Sequence, residues 1–336
     1  MKVGSRQAFT KWAGMVALAG CAAGGSPTAQ GLRPPQLATV PQSTVTALRG
    51  VRPQHPDHGR SWMDRAATSM SLLYVSDYNT GDVYVVSYPK GKLVGTLTGF
   101  DHPQGECVDA SNDVWITNTN ASQIVEYAHG GTTPIATLTD SGQYPVACSI
   151  DPTTGNLAAT SIFSTKDGQG DVAVYAGAQG NPATYTAPLI LYYYFCGYDN
   201  EGNLYVDGTV GGYHVPDQVA VLPSGGSKFY DVALDQSMYF PGDIKWDGKY
   251  VAIGDQSTAL IYQFNIEGSD GLEVGSTPLS NSSDVVGYWI DGKKVIGADA
   301  GNNDVGYWKY PKGGKPTKII NRLPSSFPEG VAVSNP

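Results

Sequence analysis

The side chains in this sequence with the most chemical potential are oxygen donors. Glu106, Asp243 and Glu329 each follow a proline by one to three residues, and Asp77, Asn118, Asp255 and Asp299 each close a short apolar run. Carboxylate and amide oxygens converging on one point would hold a hard cation such as Ca²⁺, which takes several oxygen ligands. The same Asp and Asn at strand ends would otherwise make Asx turns that cap hairpins, and Glu106 and Asp243 would otherwise sit on a solvated rim. Other catalytic patterns are missing: there is no Gly-x-Ser-x-Gly, no phosphate-binding loop, no His-Glu-x-x-His and no Cys-x-x-Cys. His55 and His58 stand three apart in a polar stretch without a third ligand. Tyr192 to Phe195 reads as buried strand packing, whereas Tyr213 and His214, in a long turn, are candidates to face a ligand.

The elements that must position these residues recur. Short strands begin at Leu73, Val114, Leu157, Leu204, Val251 and Val295, spaced by 41, 43, 47, 47 and 44 residues. Each leads through a turn into a second strand, such as Val83-Tyr84-Val85-Val86 or Val305-Gly306-Tyr307-Trp308. Turns such as Tyr88-Pro89-Lys90-Gly91 and Tyr310-Pro311-Lys312-Gly313 then introduce a third. A fourth follows a Pro or Gly loop, as in Pro103-Gln104-Gly105-Glu106-Cys107-Val108. Four strands per ~40–45 residues is the arithmetic of a propeller blade. The sequence therefore predicts an all-β, six-bladed β-propeller over residues 71–336, with four antiparallel strands per blade.

The repeat region begins one strand late and ends with Pro328 to Val333, a copy of the innermost strand. That phase shift predicts that the C-terminal strand closes the first blade and removes the exposed edges. Cys107, Cys148 and Cys196 fall at one place in three successive inner strands and read as buried thiols acting as small hydrophobes. The turns at 162–171 and 208–218 are longer than the rest, and inserted turns on one face carry binding specificity in repeat proteins.

Lys2, Arg6 and Lys11 precede a short apolar stretch from Trp12 to Leu18, which is an export signal too short to span a bilayer. Leu18-Ala19-Gly20-Cys21 resembles the bacterial lipobox, which implies cleavage after residue 20 and acylation of Cys21. Residues 21–70, rich in Pro, Gly, Ser and Thr, read as a tether. The expected location is the bacterial cell envelope, periplasmic or surface, with the membrane reached only through the lipid. A net charge of −9 and only 15% charged residues argue against nucleic acid as a partner.

The alternation of segments such as Gly202-Asn203-Leu204-Tyr205-Val206 with Pro328-Glu329-Gly330-Val331-Ala332-Val333 resembles NHL-repeat propellers and the related six-bladed set of gluconolactonases and streptogramin lyases. In the gluconolactonase type a divalent cation at the channel mouth polarises a lactone or phosphoester for attack by water. The Glu329 segment resembles that family's glutamate-bearing strand, which adds Glu329 to Glu106 and Asp243, already candidates by their place in the repeat, as a metal set, although the family's remaining Asn and Asp ligands find no match. The lyases need a catalytic His beside an acid, and His102, His129 and His214 show no such spacing. With no catalytic signature, the first expectation is a monomeric binding or scaffold module that takes a protein, peptide or glycan on its loop-rich face. The alternative is a divalent-metal-dependent hydrolase of the gluconolactonase type.

Overall fold

Short apolar runs bounded by turn residues become strands buried on both sides. The computed structural model describes residues 59–211, 216–325 and 327–336. Its strands run in chain order. The first group is β1 (Trp62–Met63), β2 (Leu72–Asp77), β3 (Asp82–Ser87) and β4 (Lys92–Leu97). Next come β5 (Pro103–Val108), β6 (Val114–Asn118), β7 (Gln123–Tyr127) and β8 (Pro134–Thr139), then β9 (Gln143–Ile150), β10 (Leu157–Ser164), β11 (Asp171–Tyr175) and β12 (Ala183–Tyr185). They are followed by β13 (Tyr192–Tyr198), β14 (Leu204–Thr209), β15 (Gln218–Leu222) and β16 (Tyr230–Leu234), and by β17 (Pro241–Trp246), β18 (Val251–Asp255), β19 (Leu260–Glu267) and β20 (Asp270–Pro278). The last are β21 (Val285–Asp291), β22 (Lys294–Asp299), β23 (Asp304–Lys309), β24 (Lys318–Ile320) and β25 (Pro328–Ser334). Helix is confined to three single 3₁₀ turns among the described residues.

β5–β8, β9–β12 and β21–β24 each form a four-stranded sheet. β13–β16 and β17–β20 are two antiparallel meanders joined into one eight-stranded sheet by a short parallel contact, Ala233 with Asp270 and Leu234 with Gly271. The remaining sheet has the order β1-β4-β3-β2-β25, so the chain's last strand completes its first sheet, pairing from Leu72 with Ser334 to Asp77 with Pro328. Each innermost strand packs on the next, and β25 packs on both β21 and β5, which closes the cycle. The core lies between neighbouring sheets: Leu73, Val75 and Tyr84 of the first pack with Ile296, Val305 and Tyr307 of the last and with Val331 and Val333 of β25. This two-sided burial is why β2 reads Leu-Leu-Tyr-Val without alternation.

Two local devices repeat. An aspartate just after an inner strand caps the turn into the second strand: Asp109 Oδ1 accepts from the Ser111 and Asp113 N–H groups, Asp199 Oδ1 from Glu201 and Asn203, and Asp247 Oδ1 from Lys249 and Tyr250. Near the axis the inner strands approach so closely that side chains are excluded. A Cβ on Gly105 would come 2.6 Å from the Val146 carbonyl oxygen, and one on Gly330 2.1 Å from that of Gln104.

The structure differs from the sequence expectation at two places. Residues 59–70, assigned to the tether, join the domain: β1 pairs with the outer edge of β4, Trp62 opposite Thr96. Cys107 and Cys148 are not thiols but a disulfide between β5 and β9, with Cα atoms 5.6 Å apart. Equivalent positions of adjacent repeats meet because their inner strands crowd together. Cys196, on the next inner strand, keeps a buried thiol whose pKa burial pushes up to about 12.

Two outcomes follow for stability. The disulfide closes a 41-residue loop, so Cys107→Ser, or reduction, should cost about 3–4 kcal/mol in urea unfolding; a melt unmoved by reductant refutes the bond. Deleting residues 328–336 strips β2 of its partner and removes Val331 and Val333, each contributing about 1.5–3 kcal/mol. Against a total of about 5–15 kcal/mol the protein should then fail to fold or aggregate, whereas deleting 22–58 should leave the melting temperature unchanged.

Candidate functional site

Where the inner strands begin they enclose a cavity of about 460 Å³ at the end of the central channel. Its walls come from β5, β9, β13, β17, β21 and β25 and from the loops that lead into them. Those loops are held by the residues that end β2, β6, β18 and β22, the strands next to the inner ones. Asp77 Oδ2 accepts from the Phe327 N–H (2.7 Å), Asn118 Oδ1 from Asp101 (2.7 Å), Asp255 Oδ2 from Tyr239 (3.3 Å) and Asp299 Oδ1 from Asp284 (3.0 Å). The strand-end set thus makes caps, and each cap pins the loop that feeds the inner strand of its own sheet.

Glu106, Asp243 and Glu329 all line this cavity. They are brought to one space but not to one point. Among the described residues, the only three such groups with ligand atoms within 4.8 Å of one another are Asp109, Asp113 and Glu126, and the first two of these cap turns. Asp243 is fully engaged: Oδ1 accepts from Lys245 Nζ and from the Ile244 N–H, both at 2.8 Å, and Oδ2 from the Tyr288 N–H at 3.1 Å. Burial raises its pKa, while Lys245 and these donors pull it back. An acid so saturated by donors does not fit a divalent-cation ligand set.

Glu106 is different. It is 3% exposed, and neither carboxylate oxygen has a hydrogen bond of ordinary geometry. Burial pushes its pKa up to about 8 against the opposing pull of Ser76 and Lys245. Glu329, at the cavity edge, is also pushed to about 8, first by burial and then by the charges of Asp284 and Asp77. Both groups therefore keep their protons to a higher pH than an ordinary glutamate does.

Three aromatic pairs complete the wall: Tyr78 with Phe327 (ring centroids 6.2 Å apart), Tyr144 with Phe163 (4.5 Å) and Tyr194 with Phe240 (5.7 Å). Tyr194, assigned to strand packing, faces the cavity. The other five escaped the sequence reading, although for Tyr144, Phe240 and Phe327 a signal was present. An aromatic or imidazole ring directly precedes the inner-strand proline in His102-Pro103, Tyr144-Pro145, Phe240-Pro241 and Phe327-Pro328. His102 does have an acidic partner, its own neighbour: Nδ1 lies 2.7 Å from Asp101 Oδ1, and the ring stacks edge-on against Tyr78 at 4.2 Å. His129 is at the opposite end, between Ser334 Oγ and the Met70 carbonyl. Cys21, Tyr213 and His214 lie outside the described residues.

By sequence the chain matches no family model and no curated protein. By structure it is similar to a chain in the crystal structure of a nidogen/laminin complex, with a TM-score of 0.64 at 13% identity over 79% of this chain and 98% of that one. It is also similar to a protein of unknown function from Bacteroides caccae (TM-score 0.60, 11% identity, 80% and 100% covered). A third similar structure is the Cps50 (Swd1) β-propeller domain of Myceliophteria thermophila (0.52, 10%, 79% and 85%). The fold is a β-propeller. In this propeller the second-to-third-strand hairpins and the loops into the inner strands share one face, and the aromatic, acid-lined cavity opens there.

The two raised acids make stability depend on pH with a definite sign. An unfolded Glu titrates near 4.3, so between about pH 4.5 and 8 the folded state holds protons that the unfolded state has lost. Stability must fall as pH rises through that window, by up to ~1.4 kcal/mol per pH unit per group. Glu106→Gln, isosteric and neutral, should raise the melting temperature at pH 8 and flatten its decline from pH 5. A wild type equally stable at pH 5 and pH 8 contradicts the burial of these carboxyls.

Proposed function

We propose that this chain is an exported, lipid-anchored six-bladed propeller that binds a protein or peptide partner by taking a lysine or arginine side chain into the mouth cavity. The observation that carries the reading is the Glu106 carboxyl group, buried on a cavity wall with Ser76 as its polar neighbour and, among the described residues, no cation within ion-pair distance. A buried carboxylate is stable only when paired, and an inserted ammonium or guanidinium would pair it. The three aromatic pairs supply the rest of such a site, because cations bind over ring faces. The volume is within the range of small-molecule pockets and suits one side chain with its flanking backbone. A similar propeller comes from a structure of a nidogen/laminin complex, so protein recognition is within the repertoire of the fold.

Six blades are supported by the spacing of the sequence repeats. They are also supported by the division of the eight-stranded sheet into two meanders, each with its own inner strand in the closed cycle. Export is supported by the Cys107–Cys148 disulfide, since such bonds persist in oxidising compartments. The anchor itself rests on the lipobox at Cys21.

The test is calorimetric titration with short peptides carrying Lys or Arg, against the same peptides carrying acetyl-lysine or citrulline. The cationic peptides should bind at least tenfold more tightly, and Glu106→Gln should erase most of that preference. Affinity should rise from pH 6 to pH 9, because the carboxyls must lose protons to pair with a cation and those protons are held below about pH 8. Equal binding of the neutral peptides, or indifference to Glu106→Gln, would sink the proposal.

A further inference from the structure

In a chain of net charge −9, cations are concentrated at one place. The turns at the end of the propeller opposite the mouth, on the first and last sheets, expose Lys90, Lys92, Lys293, Lys294, Lys312 and Lys315. The two sheets meet there. Lys318 Nζ donates to the Pro89 and Lys90 carbonyls, and the ammonium of Lys294 lies 5.7 Å from the ring centroid of Tyr88, which stacks on Tyr307. The lysines therefore share one surface. Within the segments 88–92, 291–294 and 309–318 the single carboxylate is Asp291, held by the Tyr88 hydroxyl.

A second observation is independent of this clustering. Lys294 and Lys309 are direct cross-strand partners on β22 and β23, both exposed. Like charges directly opposite on neighbouring strands destabilise a sheet, and the one carboxylate beside the pair, Asp291 opposite Lys294 on β21, is shared with the Tyr88 hydroxyl, so the surface keeps an excess of positive charge.

We infer that this surface docks the propeller on an anionic lipid bilayer. Charge complementarity selects an anionic partner, and each lysine near such a membrane strengthens binding. A bilayer is favoured over a soluble polyanion by the chain outside the described region. From Cys21 to Gly59 it can span on the order of 100 Å when extended, at about 3.3 Å per residue. That is ample for the basic end to touch the membrane that holds the lipid. The contact does not require the lipid, so it can be tested without it.

The experiment is flotation of the Cys21→Ser chain with vesicles of phosphatidylcholine alone or mixed equally with phosphatidylglycerol. The protein should float with the mixed vesicles at low salt and much less with the neutral ones, and 0.5 M salt should release it. The triple variant Lys294→Glu, Lys312→Glu, Lys315→Glu should bind about 100-fold more weakly while keeping its melting temperature. Lys228→Glu, on a turn of another sheet, should behave as the parent. Equal flotation with neutral vesicles, or no effect of the triple variant, refutes the surface as a lipid dock. Binding to polyphosphate but not to phosphatidylglycerol vesicles assigns it to a soluble polyanion and overturns the lipid. Failure of acylation at Cys21 in cells would leave these outcomes unchanged.

Discussion

At the end of each of β2, β6, β18 and β22 a carboxylate or amide oxygen accepts the backbone N–H of the loop that descends into the inner strand. Asp77 does so for Phe327, Asn118 for Asp101, Asp255 for Tyr239 and Asp299 for Asp284. These bonds are neither hairpin caps alone nor metal ligands. The bonds of Asp77 and Asp255 fix the approach to Pro328 and Pro241, and therefore where Phe327 and Phe240 stand in the cavity wall. Each bond satisfies a loop N–H that would otherwise need water. The mouth is consequently a built surface, held by the same sheets whose ends it covers.

The second constraint is crowding at the axis. Gly105 and Gly330 sit where another strand's backbone leaves no room for a Cβ, and a Cβ on Gly330 would also press on Glu106. With side chains excluded at those points, neighbouring inner strands come close enough for Cys107 to reach Cys148. The same closeness buries Glu106 beside the backbone of β25 and raises its pKa. One geometric fact thus produces the glycines, the disulfide and the raised pKa.

The repeat was legible because blade residues obey a local rule, short apolar runs at a spacing of 41–47 residues with turn chemistry between them. Closure by the last strand was legible from the phase of the repeat against the chain ends. What remained hidden depends on which repeats are neighbours in space. Three equivalent cysteines cannot reveal that two of them bond, because that requires the distance between strands rather than their alignment. Asp243 looked like a ligand, but Lys245, two residues on, takes it. Two residues apart on a regular strand places side chains on one face, so that pairing was available in principle. The aromatic residues before the prolines were also visible, but their shared direction into a cavity emerges only once the loops are pinned. β1 is too short, and too far from the repeat phase, to be recognised as a strand at all.

The lysines occupy one sector of an end that elsewhere carries capping acids such as Asp109, Asp199 and Asp247, and the contrast follows from where each kind of residue is structurally required. Acids at the mouth hold the lead-in loops, and acids at the far end cap the turns after the inner strands; where they are buried, as Glu106 and Glu329 are, burial raises their pKa. No such requirement exists for lysine at the far turns. Turn positions tolerate many residues, and Tyr-Pro-Lys-Gly at 88–91 would turn as well with a neutral residue in third place. The acids at the mouth are therefore explained in large part by folding, while the lysines at the far end are not. A cluster of charge that folding does not need, with Asp291 as the single carboxylate among its turns, points to a partner outside the molecule. Because the basic surface and the mouth lie at opposite ends of the channel, a propeller resting on its lysines leaves the aromatic cavity facing away from the surface, open to whatever approaches from solution.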